Sequence, residues 1–176
     1  MPLPCFCSEV LTAVNTVLYV LAGYDDKTET YLSGMQKKLY DHGFSGRHTK
    51  NIPMHISLGY FPCEKENELK TLLHNKAQEI SAFEVGFSHI GLFPGGEVLF
   101  AAPDANNELL TLKEIFCGDT DLTPHTTLLI DDPDSILKAL PAVMEDFSPF
   151  RGKITSLHLY EFFPARHILT VPLKDG

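Results

Sequence analysis

Two segments seventy residues apart carry the same short pattern, and that repeat limits the possible folds more than any other feature. PMHISLGYF runs from Pro53 to Phe61 and PHTTLLI from Pro124 to Ile130, each with His-x-[Ser/Thr]-Leu just after a proline or a Pro-Met pair. A second landmark keeps the same spacing, because Phe93-Pro94 and Phe163-Pro164 close the next apolar stretches. Two landmarks with one offset point to internal duplication of one supersecondary unit.

The periodicity of each half supports this. TVLYVLAG, residues 16–23, is a short β-branched and aromatic run that reads as a buried strand. Residues 28–42 place Tyr31, Leu32, Met35 and Leu39 at helical spacing, with Gly43 as a stop. The strand MHISLGYF follows Pro53. Over 64–80, Leu69, Leu72, Leu73, Ala77 and Ile80 share a helical face. FEVGFSHIGLF, 83–93, reads as a strand turned by Pro94-Gly95-Gly96 into EVLFAA, 97–102. The second half repeats the order with a helix near 105–117 and the strand PHTTLLI. A further helix, opened by Asp132-Pro133, carries Ile136, Leu137 and Leu140. Pro141 is expected to kink or split it. ITSLHLYEFF and HILTVPL form a closing antiparallel pair. The match fades in the first strand and helix of each half, where the second copy is shorter. At 176 residues this is one domain, 1–176, of two pseudo-symmetric lobes with the seam at Phe93–Gly96.

Composition narrows the function. With 23 acidic against 14 basic residues the net charge is −9, which argues against a long nucleic-acid partner, since Lys and Arg supply most of that affinity. A small nucleotide or short oligonucleotide remains compatible with a local positive pocket. Cys5, Cys7, Cys63 and Cys117 lack Cys-x2-Cys spacing and read as reduced thiols. The first 26 residues have no basic start or unbroken apolar core, so no signal peptide or membrane span is expected, and the default is a cytoplasmic monomer.

Along a strand, residues i and i+2 share a face. His55, Ser57, Gly59 and Phe61 are therefore expected on one side, and His125, Thr127 and Leu129 on one side of the second strand. Each strand presents an imidazole beside a hydroxyl. One imidazole can take a proton from water while the other gives one to a leaving oxygen, and the hydroxyls can hold the non-bridging oxygens of a phosphate. That set fits phosphodiester cleavage, most economically the opening of a cyclic phosphate without a metal. The plainer reading is a duplicated pair of buried structural histidines, which burial without partners disfavours. Phe61 is a candidate for base stacking, or else a core plug. Arg47, His48 and Lys50, and Arg166 in the last turn, could form a positive rim or simply a solvated loop. Asp131, Asp132 and Asp134 read as a helix cap and first turn. His42, His74, His89, His158 and His167 lack the Ser/Thr-Leu context and are given no chemistry. No phosphate loop or zinc motif is present, and no metal or cofactor is called for.

HISL at 55–58 and HTTL at 125–128, on repeated strand–helix units, resemble the 2H phosphoesterase superfamily of 2′-5′ RNA ligase-like proteins and 2′,3′-cyclic nucleotide phosphodiesterases. The resemblance implies an α+β, bilobal duplicated fold, two antiparallel sheets with outer helices around a central cleft. It implies His55 and His125 as the catalytic pair, Ser57 and Thr127 as phosphate-holding hydroxyls, and metal-independent hydrolysis of a 2′,3′-cyclic phosphate. A 2′,5′-linked oligonucleotide or an ADP-ribose cyclic phosphate is an alternative substrate, and a non-catalytic nucleotide-binding module is the competing class. The acidic balance departs from members that act on RNA ends.

Overall fold

The computed structural model describes residues 16–49, 51–118 and 122–176. Cys5, Cys7, Lys50 and the N-terminal reading lie outside them, apart from Thr16 onward. The elements run β1 (Val17–Tyr24), α1 (Asp26–Asp41), β2 (His55–Pro62), a 3-10 turn (Cys63–Lys65), α2 (Glu66–Ala77) and β3 (Phe83–Leu92). They continue through β4 (Val98–Pro103), α3 (Asn107–Phe116), β5 (Thr126–Ile130), α4 (Pro133–Asp146), β6 (Phe150–Phe162) and β7 (Arg166–Pro172). The order strand, helix, motif strand, helix, strand thus occurs twice.

All strand pairs are antiparallel and lie in one hydrogen-bonded sheet of order β2-β1-β6-β3-β4-β5, with β7 also on β6. The two expected sheets are joined by β6, whose thirteen residues serve both halves. Its later part pairs with β1 and β7, and its first residues, Phe150 to Ile154, pair with β3.

Three of the helices start where a side chain can take an orphan amide. Asp25 accepts from Thr28 N at 2.9 Å, Asn106 from Leu109 N at 2.7 Å, and Asp132 from Ser135 N at 3.1 Å. Of the expected kink or split at Pro141, the split does not occur: α4 continues through it as one helix. Ile136, Ala139 and Val143 bury its inner stripe, and that burial outweighs the lost hydrogen bond, while Leu137 faces out. Helices and sheet enclose one large apolar core that includes Leu18, Val20, Ile56, Leu58, Leu99, Leu128 and Leu129.

The helices cross between halves. α1 packs on β5 and α3 on β2, and β2 and β5 lie against each other. Gln36 in α1 donates to the Leu128 carbonyl at 3.2 Å, and the Tyr24 hydroxyl meets buried Thr126. A Cβ at Gly59 would come within 2.1 Å of the Phe116 carbonyl, so this glycine lets the end of α3 rest on β2. These contacts hold the two motif strands together.

Candidate active site

Both motif histidines are set by the same local device. His55 Nδ1 lies 2.7 Å from the Pro53 carbonyl, and His125 Nδ1 lies 2.7 Å from the Thr123 carbonyl. A carbonyl only accepts, so Nδ1 carries the hydrogen in each ring, and in the neutral form Nε2 is left as the proton acceptor. The bend before β2 is pinned further by Glu29 in α1, whose two carboxylate oxygens accept the buried Met54 N–H at 3.1 and 3.0 Å.

The pairing registers extend the likeness. Between β1 and β2 the register slips so that Leu58 has no partner, with Val20 opposite Gly59 and Leu21 opposite Ser57. Between β4 and β5 it slips so that Leu128 has none, with Leu99 opposite Leu129 and Phe100 opposite Thr127. The bulge therefore falls on the leucine of each tetrapeptide, and both leucines are fully buried.

The bulge also corrects the expected alternation. Beyond it, Phe61 lies opposite core residue Leu18 and packs against the main core, while Tyr60 lies opposite Tyr19 with ring centroids 5.7 Å apart. Phe61 is thus turned away from the histidine side, and Tyr60 takes the place expected for it. One extra residue in the strand reverses every side chain after it.

Cross-strand pairing shows what surrounds the first histidine. His55, Gly23 and Ser156 form one row across β2, β1 and β6, and Ser57, Leu21 and His158 form the next. Tyr60, Tyr19 and Tyr160 form a further row. Leu21, Tyr160 and Phe162 make a small apolar cluster on this face, separate from the main core, with Tyr19 and Ile52 against it. Gly23 is a notch: an added Cβ would sit 1.9 Å from His158 Nε2 and 2.5 Å from Ser156 Oγ. His158, Ser156 and Gly23 are the residues that the linear pattern misses. Ser156-Leu-His158 reads as a second alternating hydroxyl–imidazole pair, but only strand register ties it to His55.

Around His125 the neighbours are apolar rings. Phe93 stands nearly perpendicular to it at 4.7 Å, and Phe100 lies at 5.5 Å. Phe100 in turn occupies the space a side chain at Gly91 would need.

Burial depresses the basicity of all these imidazoles. His55 is pushed down to about 4, mainly by burial and further by the charge of His125, with the Pro53 carbonyl working in the opposite sense. His125 is lowered by burial against the favourable Thr123 carbonyl. His158 is lowered to about 4 by burial, then by His55 and His167. Burial raises Glu29, and the Met54 amide opposes that shift.

The remaining candidates are placed as follows. The segment between α1 and β2 spans the two halves: Arg47 N–H donates to the Ile130 carbonyl at 2.7 Å and the His48 ring meets Phe163 at 4.4 Å. Arg166 is committed to carboxylates, Glu66 at 3.1 Å and Glu161 at 2.5 Å, so it supplies no open positive rim. Asp132 caps α4 and is held below the usual carboxylate range by the Ser135 hydroxyl and amide. Two surface hollows, of about 200 and 440 Å³, sit beside Asp104 and Arg151 and beside Tyr31 and Phe150, and neither includes a motif residue. Among the described residues no group of three or more His, Cys, Asp or Glu side chains is placed to hold a metal ion. Cys63 and Cys117 form no disulfide among the described residues, and no helix among them is long and apolar enough to cross a membrane.

With this geometry in view, comparison with known proteins decides the family. The model of the 2′-5′ RNA ligase superfamily matches residues 25–162. The chain belongs to the 2′-5′ RNA ligase superfamily, the 2H phosphoesterases. Its fold is similar to Escherichia coli LigT complexed with 3′-AMP, at 16% identity and TM-score 0.65, covering 92% of this chain and 99% of that one. LigT complexed with NADP+ gives 15% identity and TM-score 0.64, over 93% and 100% of the two chains. The Thermus thermophilus protein TT0787 gives 16% identity and TM-score 0.58, over 91% and 99%. No curated relative matches by sequence. The neighbours share the mixed fold with its antiparallel sheet and four helices, and the superfamily match supports a phosphoesterase-type enzyme.

Proposed function

We propose that this 2H phosphoesterase hydrolyses 2′,3′-cyclic phosphates of nucleotides or short oligonucleotides by acid–base catalysis between His55 and His125. The two would act from the halves of one duplicated domain, with Ser57 and Thr127 holding the phosphate and no metal required. One observation carries the reading: both imidazoles are anchored through Nδ1 at 2.7 Å on the carbonyl two residues back, on equivalently bulged strands that lie against each other. Two structural histidines would need no such matched presentation of Nε2. A pair of anchored imidazoles can move one proton from water and another to the leaving oxygen, each typically contributing about 10²- to 10⁴-fold. Hydroxyls beside them can donate to phosphate oxygens as charge builds there.

LigT structures hold phosphate, 3′-AMP, ATP and NADP+, which favours a nucleotide as the first substrate to try. The test is hydrolysis of the four nucleoside 2′,3′-cyclic monophosphates in EDTA, with phosphorus NMR distinguishing 2′- from 3′-phosphate. Turnover in EDTA is expected. Turnover only of 2′,5′-linked oligonucleotides or an ADP-ribose cyclic phosphate would move the substrate but keep the residues. Tight nucleotide binding without turnover of any of them would contradict the enzyme reading and favour a binding module.

A further inference from the structure

On the sheet face around His55 there is a further imidazole, at a row position that is Gly91 around His125. His158 lies on β6 opposite Leu21, on the face that bears His55 and Ser57. Its Nε2 occupies the notch left by Gly23, the residue directly opposite His55. Opposed Cβ positions on paired strands are about 5 Å apart, so an atom at the missing Gly23 Cβ stands immediately beside His55. Ser156 Oγ is 3.1 Å from His158 Nε2 in the same notch. On its other side, His158 Nδ1 meets Thr170 Oγ1 at 2.8 Å, and Thr170 Oγ1 meets His167 Nε2 at 2.8 Å. The ring is therefore fixed at both nitrogens. In the row through Thr127 and Phe100 the position matching His158 is Gly91, and His89, opposite Ala102, lies in the row that matches Ser156, its Nδ1 3.0 Å from Ser88 Oγ. His125 has Phe93 and Phe100 beside it instead.

Resting on the phosphodiesterase reading above, we propose that His158 and Ser156 hold the attacking water against His55. Water then comes from the side of His55 and the leaving sugar oxygen departs toward His125. In that step a water O–H passes its proton to His55 Nε2 as the water oxygen bonds to phosphorus. The phosphorus–oxygen bond to the sugar breaks, and His125 gives its Nε2 proton to the departing oxygen. His158 and Ser156 are positioning residues: as a neutral pair they offer both donors and acceptors, which a water needs and an anion does not.

The imidazoles are coupled: charge on His125 opposes protonation of His55, and charge on His55 opposes protonation of His158, so a proton on one disfavours a proton on its neighbour. The titratable groups facing His158 are His55 across Gly23, His167 through Thr170, and Tyr160 next along β6, whose hydroxyl feels Glu29. None of these gives His158 a carboxylate partner that would hold it charged.

The test combines kinetics and titration. On a 2′,3′-cyclic nucleotide in aqueous methanol, His158→Leu is expected to lose about 10²-fold in kcat, the size of a misplacement effect, with little change in KM. The ratio of methyl ester to hydrolysis product should change with it. Gly23→Ala, which displaces the ring without removing it, should act in the same direction, and His158→Gln should recover much of the rate. Histidine NMR should show His125 taking its proton at higher pH than His55. Unchanged kcat and partition in His158→Leu, or a loss confined to KM, would overturn the water-holding role. His55 titrating above His125 would overturn the direction. An inactive wild type would instead overturn the phosphodiesterase reading itself.

Discussion

At the scale of the residue, the decisive fact is how little separates a side chain that faces the histidines from one that faces the core. Phe61 and Tyr60 are neighbours, and a single unpaired leucine exchanges their sides. This gives a direct prediction. Phe61→Ala removes packing opposite Leu18 and should lower unfolding free energy on the order of 3 kcal/mol, measured by urea denaturation, while leaving KM for a cyclic nucleotide within about twofold. A KM that rose tenfold without loss of stability would return Phe61 to the substrate side. The motif residues themselves are readable because a histidine, a hydroxyl and a leucine recur at fixed spacing. Gly23, His158 and Glu29 are not readable in that way. A strand glycine, a lone histidine and a helical glutamate carry no local pattern, and their roles exist only once register and helix packing bring them to His55.

At the scale of the element, sequence periodicity finds nearly all helices and strands, because each buries one stripe or face. What it misses has physical causes. The bulges follow from pairing between strands, and the merger of two sheets follows from the length of β6. The continuity of α4 follows from burial of Ile136, Ala139 and Val143, which outweighs the proline. The crossing of α1 onto β5 and α3 onto β2 is likewise a property of packing. Two glycines test that packing in opposite directions. Gly59→Ala would drive a methyl into the Phe116 carbonyl and should cost at least ~1–3 kcal/mol, the usual penalty of overpacking. Gly34→Ala, inside α1 with nothing within 4 Å of the new methyl, should gain ~0.5–1 kcal/mol. Thermal melts of the two variants are expected to move apart around wild type. A neutral Gly59→Ala would mean that α3 does not rest on β2 as described.

At the scale of the whole molecule, the buried imidazoles tie stability to pH. His55 and His158 are held down to about 4 in the folded protein, against about 6.5 in an unfolded chain, so the unfolded state binds more protons between those values. Their contribution to stability is complete above about pH 6.5 and is lost as pH falls toward 4. The melting temperature should therefore fall across that window, and the non-titrating His158→Gln should show a shallower fall. An equal slope in that variant would mean His158 is not held neutral by the fold. The same burial that costs acid stability keeps His55 Nε2 unprotonated near neutral pH, as the proposed base requires.

The two-histidine mechanism is tested most directly by the pH dependence of kcat/KM for a 2′,3′-cyclic nucleotide, measured in EDTA for wild type, His55→Ala and His125→Ala. The expected wild-type profile is a bell. His55→Ala should lose at least about 10²-fold and the acid-side limb set by the base, and His125→Ala a similar factor and the alkaline-side limb set by the acid. Retention of activity within about tenfold in either variant, or survival of both limbs, would contradict that mechanism.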